Sequence, residues 1–177
     1  MKEWQPTPQQ YFSHAMDIND SARLTIRLET QDATANQAKI SIGLSLQAAE
    51  LVGKGLLLLA GVSPEEIRKQ HSKHKILDLL REAERQVMQS DDLRLRQAGN
   101  FLTWQPIIDG EQFGSTIGVY LTDHFAQGEK AFPRSYFYPD HEQFTGPKPI
   151  QGLYLMVEHM IEYAKAAAAS LAVDAQQ

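Results

Sequence analysis

The sequence predicts an all-α protein, an antiparallel helical bundle of five to six helices in one domain over residues 1–177. Three observations carry that expectation. Apolar residues recur at three- and four-residue spacing through most of the chain, capping signatures precede the periodic stretches, and no segment offers a credible sheet partner. At 177 residues, folding buries about 70% of the surface of the unfolded chain, enough for one core without disulfide or metal staples.

After an N-terminal extension at 1–7, Thr7-Pro8-Gln9-Gln10 reads as a capping box with Pro at the first helical position. Tyr11, Ala15, Ile18, Ala22 and Ile26 follow at helical spacing, which predicts a helix over about 8–29. Asp32 is a candidate cap for a second helix. Its Ala35, Ala38, Ile42, Leu46, Ala49, Leu56 and Leu59 form one apolar stripe that ends at Gly61. Gly53 and Gly55 inside that helix each cost up to about 1 kcal/mol against Ala, a cost that close approach of a neighbouring helix would explain.

Ser63-Pro64-Glu65-Glu66 is a second capping signature. The polar run behind it fits either one helix over 64–89 or a short turn and a helix from about Ser72, and the second reading is preferred. Leu77, Leu80, Ala83 and Val87 mark the apolar face there, with Arg81, Glu82, Glu84 and Arg85 toward water; a shorter helix follows at about 92–104. Residues 105–149 form a long irregular connection rich in Gly, Pro and aromatic residues, in which Ser115 to Phe125 is read as a short helix. Leu153, Val157, Met160, Ile161, Ala164 and Leu171 then mark a last long helix, with a frayed tail at 172–177.

Absence of Cys removes thiol nucleophiles, Cys-ligated zinc and iron–sulfur clusters, and it fits a cytoplasmic location. The net charge of −5 argues against a globally basic nucleic-acid binder, so a contact with phosphate must be local. The N-terminal residues lack the apolar core of a secretory signal, and the longest unbroken apolar stretch, Leu56 to Val62, is far below the roughly 18 residues of a membrane span. No Gly-rich phosphate loop, nucleophile elbow or clustered metal-carboxylate motif is present, and no cofactor or metal is expected.

Ala48-Ala49-Glu50-Leu51-Val52-Gly53-Lys54-Gly55-Leu56-Leu57, followed by Lys73-His74-Lys75-Ile76-Leu77-Asp78-Leu79-Leu80, resembles the HEPN family pattern of an A-A-E-x-x-x-K-x-L-L helix and an H-x-L-x-x-L-L block. Ser135-Tyr136-Phe137-Tyr138-Pro139-Asp140 before the last helix is similar to the family's aromatic, proline-bearing loop. Two departures stand out: Phe137-Tyr138 where the family has Arg-Tyr before Pro, and Lys75 where it has Asp after the His. The resemblance implies a HEPN-like bundle that pairs into homodimers and binds a nucleotide, RNA or a protein partner such as a nucleotidyltransferase or antitoxin. It also implies, for one branch, a metal-independent ribonuclease in which Arg and His, four to six residues apart, line a cleft between protomers.

Arg68 and His74 have that spacing, as do Arg134 and His141. His would move a proton at the ribose 2′-OH or leaving oxygen, and Arg would hold the phosphate. With eight Arg and six His, chance predicts about 0.8 such pairs. On one continuous helix, residues six apart stand about 120° from alignment, so only a break between Arg68 and His74 would let both face one cleft.

Arg68-Lys69-Gln70-His71-Ser72-Lys73-His74-Lys75 holds four fixed positive charges and no acid, a natural phosphate site or a solvated helix start. Candidate ligand contacts are therefore Lys69, His71 and Lys73, joined by Lys54, Arg134 and Tyr136. Glu50 and Lys54 read equally as a structural ion pair or, by resemblance, as part of a pocket facing the basic segment. Phe132, Tyr136, Phe137 and Tyr138 are suited to stacking on bases or to pinning the long connection. His71 and His74 have metal-ligand spacing but no third partner at comparable spacing.

Overall fold

The computed structural model describes residues 6–27, 35–71, 76–103, 107–108, 111–112 and 150–174. Among them six helices appear in order: α1 (Pro8–Arg27), α2 (Ala35–Leu59), α3 (Pro64–Gln70), α4 (Ile76–Met88), α5 (Leu93–Thr103) and α6 (Ile150–Asp174). The described residues are thus all-helical but for one minimal antiparallel pair, β1 (Ile107–Ile108) and β2 (Glu111–Gln112). Ile107 pairs with Gln112 and Ile108 with Glu111.

Local chemistry sets the helix ends. Thr7 N donates to Gln10 Oε1 at 2.8 Å and Gln10 N to Thr7 Oγ1 at 3.3 Å, the reciprocal box read from sequence. Gly61, at φ 88°, closes α2: its N–H reaches Leu58 O at 3.0 Å and the Val62 N–H reaches Leu57 O at 3.0 Å. That pair of bonds is a Schellman motif, and the left-handed backbone is why Gly stands there. Asp92 caps α5 through Oδ1, which accepts from Arg94 N at 2.8 Å and Leu95 N at 3.3 Å. The cap proposed at Asp32 and the helix proposed at 115–125 lie outside the described residues. α6 runs through Asp174, so residues 172–174 continue the helix where a frayed tail was expected.

α2 is the central helix. Instead of one stripe it buries Ile42, Leu46, Ala48, Ala49, Val52, Leu56 and Leu57 around its circumference, because α1, α4 and α6 all pack on it. Its two glycines serve two neighbours. They stand about 200° apart around the axis: a Cβ on Gly53 would lie 3.1 Å from Leu80 Cδ2, and one on Gly55 only 2.4 Å from Phe12 Cε1. Close approach of neighbouring helices thus accounts for both. Phe12 and Ser41 fix the direction: Phe12 meets Gly55 while Ser41 Oγ donates to Ala22 O at 3.1 Å, so α1 and α2 run antiparallel.

α1 and α6 run parallel, since Asn19 Nδ2 donates to Tyr154 O at 3.0 Å and Arg23 pairs with Glu158 at 3.5 Å. The α1 face differs from the expected stripe by a partial turn: Phe12 and Asn19 are buried and Tyr11 is half-buried, since Phe12 fills the space above Gly55. On α4 likewise Ile76 and Leu79 join Leu80, Ala83 and Val87 inside, while Leu77 is half-buried. All six helices contribute to one hydrophobic cluster, in which each fully buried Leu or Ile contributes about 1.5–3 kcal/mol.

One window, Ile40–Leu59, is long and apolar enough by length and composition to cross a membrane, which reading only unbroken apolar runs had missed. Within the bundle 67% of it is buried, as befits the core helix of a packed domain.

Candidate functional site

The described candidate residues lie on α2 and α3 and at His71, with α3 and α4 both packed on α2. α3 is a seven-residue helix begun by Ser63, whose Oγ accepts from Glu66 N at 3.2 Å, with Pro64 at its first turn. Ile67 is its buried anchor. It stops at His71, whose N–H still donates to Ile67 O at 2.9 Å while its own backbone leaves the helix. Arg68 and Lys69 therefore sit exposed in the last turn, where cations meet the negative end of the helix.

α3 ends at Gln70, the backbone leaves the helix at His71 and α4 begins at Ile76, so residues 64–89 are not one helix, and the preferred reading of a separate second helix stands with α3 in place of a turn. The geometric objection to Arg68 and His74 sharing a face is removed by that break. His74 and Lys73 themselves lie outside the described residues, as do Arg134, Tyr136, His141 and the neighbouring aromatics.

Behind the exposed cations lies a polar seam. On α2, Lys54 Nζ donates to Glu50 Oε1 at 2.6 Å, with the Glu50 side chain 6% exposed and that of Lys54 20%. The pair follows from four-residue spacing, and its burial from the central place of α2. His71 is half-buried opposite it, with Nε2 enclosed and without a hydrogen-bond partner among the described residues. An enclosed, unsatisfied nitrogen costs about 1–3 kcal/mol, and such costs concentrate where a ligand or proton is to arrive.

The charges facing His71 are Glu50 and Lys54 from α2 and Asp78 and Glu82 from α4. Burial holds the imidazole below its ordinary value of 6.5; Glu82 pulls the other way, Lys54 adds to the lowering, and Asp78 and Glu50 oppose it. Glu82 is itself held below the usual carboxylate range, chiefly by hydrogen bonds from Arg85, whose Nε and Nη2 lie at 2.9 and 2.6 Å. Gln86 Nε2 adds a third bond at 2.8 Å.

His71 is the neutral form in the folded protein near pH 7, and this has a sign for stability. A histidine with a depressed folded value contributes its full stability above the unfolded value, near 6.5, and loses it as pH falls through the folded value. Acidification is therefore expected to lower the Tm of the wild type more steeply than that of His71→Gln. Thermal unfolding of both across pH 5 to 8 checks this, and parallel profiles would contradict it.

The structure brings Lys54 and His71 together and places Arg68 and Lys69 at the exposed edge of the same corner. Asp78 and Glu82 were not foreseen as members; they stand four apart on α4, beside its apolar face, and that spacing was the available signal. A second polar group, between α1 and α6, was also not foreseen: Arg23 with Asp20 at 3.0 Å and Glu158, next to the buried Asn19. No cluster of three or more His, Asp or Glu suited to a metal is found among the described residues.

What fold and site define together is an all-α bundle with a basic corner over a buried acid–base seam. No protein family, no curated protein and no solved structure matches the chain.

Proposed function

We propose that this protein is a HEPN-like helical module that binds phosphate-bearing ligands, a nucleotide or RNA, at the α2–α3–α4 corner. The observation that carries the reading is the exposure of Arg68 and Lys69 at the end of α3, with His71 closing that helix and Lys54 within its electrostatic reach. In a chain of net charge −5, cations gathered at one corner have a phosphate as their natural guest. Lys73 continues the basic run in sequence, and Arg134 and Tyr136 supply a further cation and a stacking ring in this reading. The family resemblance supports homodimers and a protein partner of the nucleotidyltransferase or antitoxin kind, and the absence of Cys fits a cytoplasmic setting.

Fluorescence anisotropy with a short labelled RNA tests it. Affinity is expected to fall with salt, with a logarithmic slope of about −2 if three phosphates of a single strand are neutralised. The charge reversal Arg68→Glu, Lys69→Glu, Lys73→Glu is expected to abolish binding. Binding that ignores salt, or that survives the reversal, would overturn the reading and leave the protein partner.

The break between α3 and α4 also favours a second reading, a metal-independent ribonuclease with Arg68 as phosphate clamp and His74 as acid or base. It predicts RNA cleavage in chelator that His74→Ala and Arg68→Ala both lose. Intact RNA beside folded wild type would eliminate it.

A further inference from the structure

We infer that a phosphodiester strand seated on the Arg68–Lys69 end of α3 binds together with one proton, which His71 takes up. This rests on the phosphate-binding reading above and adds a regulation of the same site. His71 closes α3 one turn after Arg68 and Ile67, so its ring stands at the inner edge of the basic corner. The ring is half-buried, which keeps it within the field of a charge at that corner without full screening by water.

Its surroundings are balanced. Burial and Lys54 favour the neutral ring, whereas Glu82, Asp78 and Glu50 favour the charged one, and in the free protein the first set prevails. Arg68 and Lys69, the cations of its own helix, stand on the outer side. A polyanion docked there adds negative charge to the side of the three carboxylates. On protonation both ring nitrogens carry a proton, so the partnerless Nε2 is a donor in a seam that contains carboxylate acceptors, Glu82 exerting the strongest pull. Both changes push the ring toward the imidazolium. By reciprocity, a strand that raises the proton affinity of His71 must itself bind more tightly once the proton is there.

Calorimetric titration of the full chain with oligouridylate tests this, since phosphodiesters and uracil carry no group that titrates in this range. At pH 6.5 the heat is expected to differ between two buffers of unlike ionisation enthalpy, by the amount that uptake of up to one proton requires. Affinity is expected to fall as pH rises, by at most about tenfold per pH unit. In His71→Gln the buffer dependence is expected to vanish and the pH profile to flatten. Should that variant fail to fold, the imidazole resonance of His71 in the wild type gives the same answer, with a titration midpoint raised by the bound strand. Binding with equal heats in both buffers and an unmoved midpoint would overturn the inference and leave the phosphate-binding reading intact. Absence of binding at every pH would overturn both.

Discussion

Gly55→Leu is expected to cost about 3 kcal/mol and to lower Tm by about 6–12 °C for a chain of this size. Even a methyl group at residue 55 would lie 2.4 Å from Phe12 Cε1, 2.8 Å from Cζ and 3.0 Å from Cδ1. Phe12 is fully buried, so its ring has no solvent to retreat into, and the gain of about 1 kcal/mol from removing a helical glycine does not offset the overlap. The double substitution with Phe12→Leu is expected to recover part of the loss, because the smaller side chain vacates the space that the new one needs. Gly61→Ala provides the contrast. Nothing lies within 4 Å of its Cβ site, and only the positive φ penalises it, by about 1 kcal/mol. Urea unfolding of the three variants measures these differences; an unchanged midpoint for Gly55→Leu would contradict the packing of α1 on α2.

Glu50→Ala is the second large effect. Lys54 is left four-fifths buried without the carboxylate 2.6 Å away, and breaking a buried pair by removing one partner costs about 3–5 kcal/mol. The exposed pair of Arg85 and Glu82, equally short at 2.6 Å, is expected to contribute about 0.5 kcal/mol, because water screens it and the Arg side chain is 57% exposed. A double-mutant cycle over Glu50 and Lys54 isolates the coupling. Additive losses would show that the two charges act independently.

The helices were legible where chemistry is local. Thr7 with Gln10, Ser63 with Glu66 and Gly61 each announce an end by side-chain type, and each makes the bond that its type implies. Faces were less legible. A stripe assumes one buried side, but α2 is enclosed by three long helices, so Leu57 and Ala48 are buried as fully as Leu56.

At the site, the basic run was plain from charge alone. Its background was not: Lys54 and His71 are seventeen positions apart, and only the turn at Gly61 and the shortness of α3 bring them together. Nor does sequence show that His71 Nε2 is enclosed, since enclosure is set by the packing of the folded chain and not by residue type.

The central claim is that phosphate binds at the α2–α3–α4 corner, and mapping of amide resonances tests it most directly. Labelled protein titrated with oligouridylate is expected to shift the amides of Arg68 to His71, Lys54 and the first turn of α4, with shifts that fade as salt is added. Shifts confined to the α1–α6 face, around Arg23 and Glu158, or none at all, would contradict the claim.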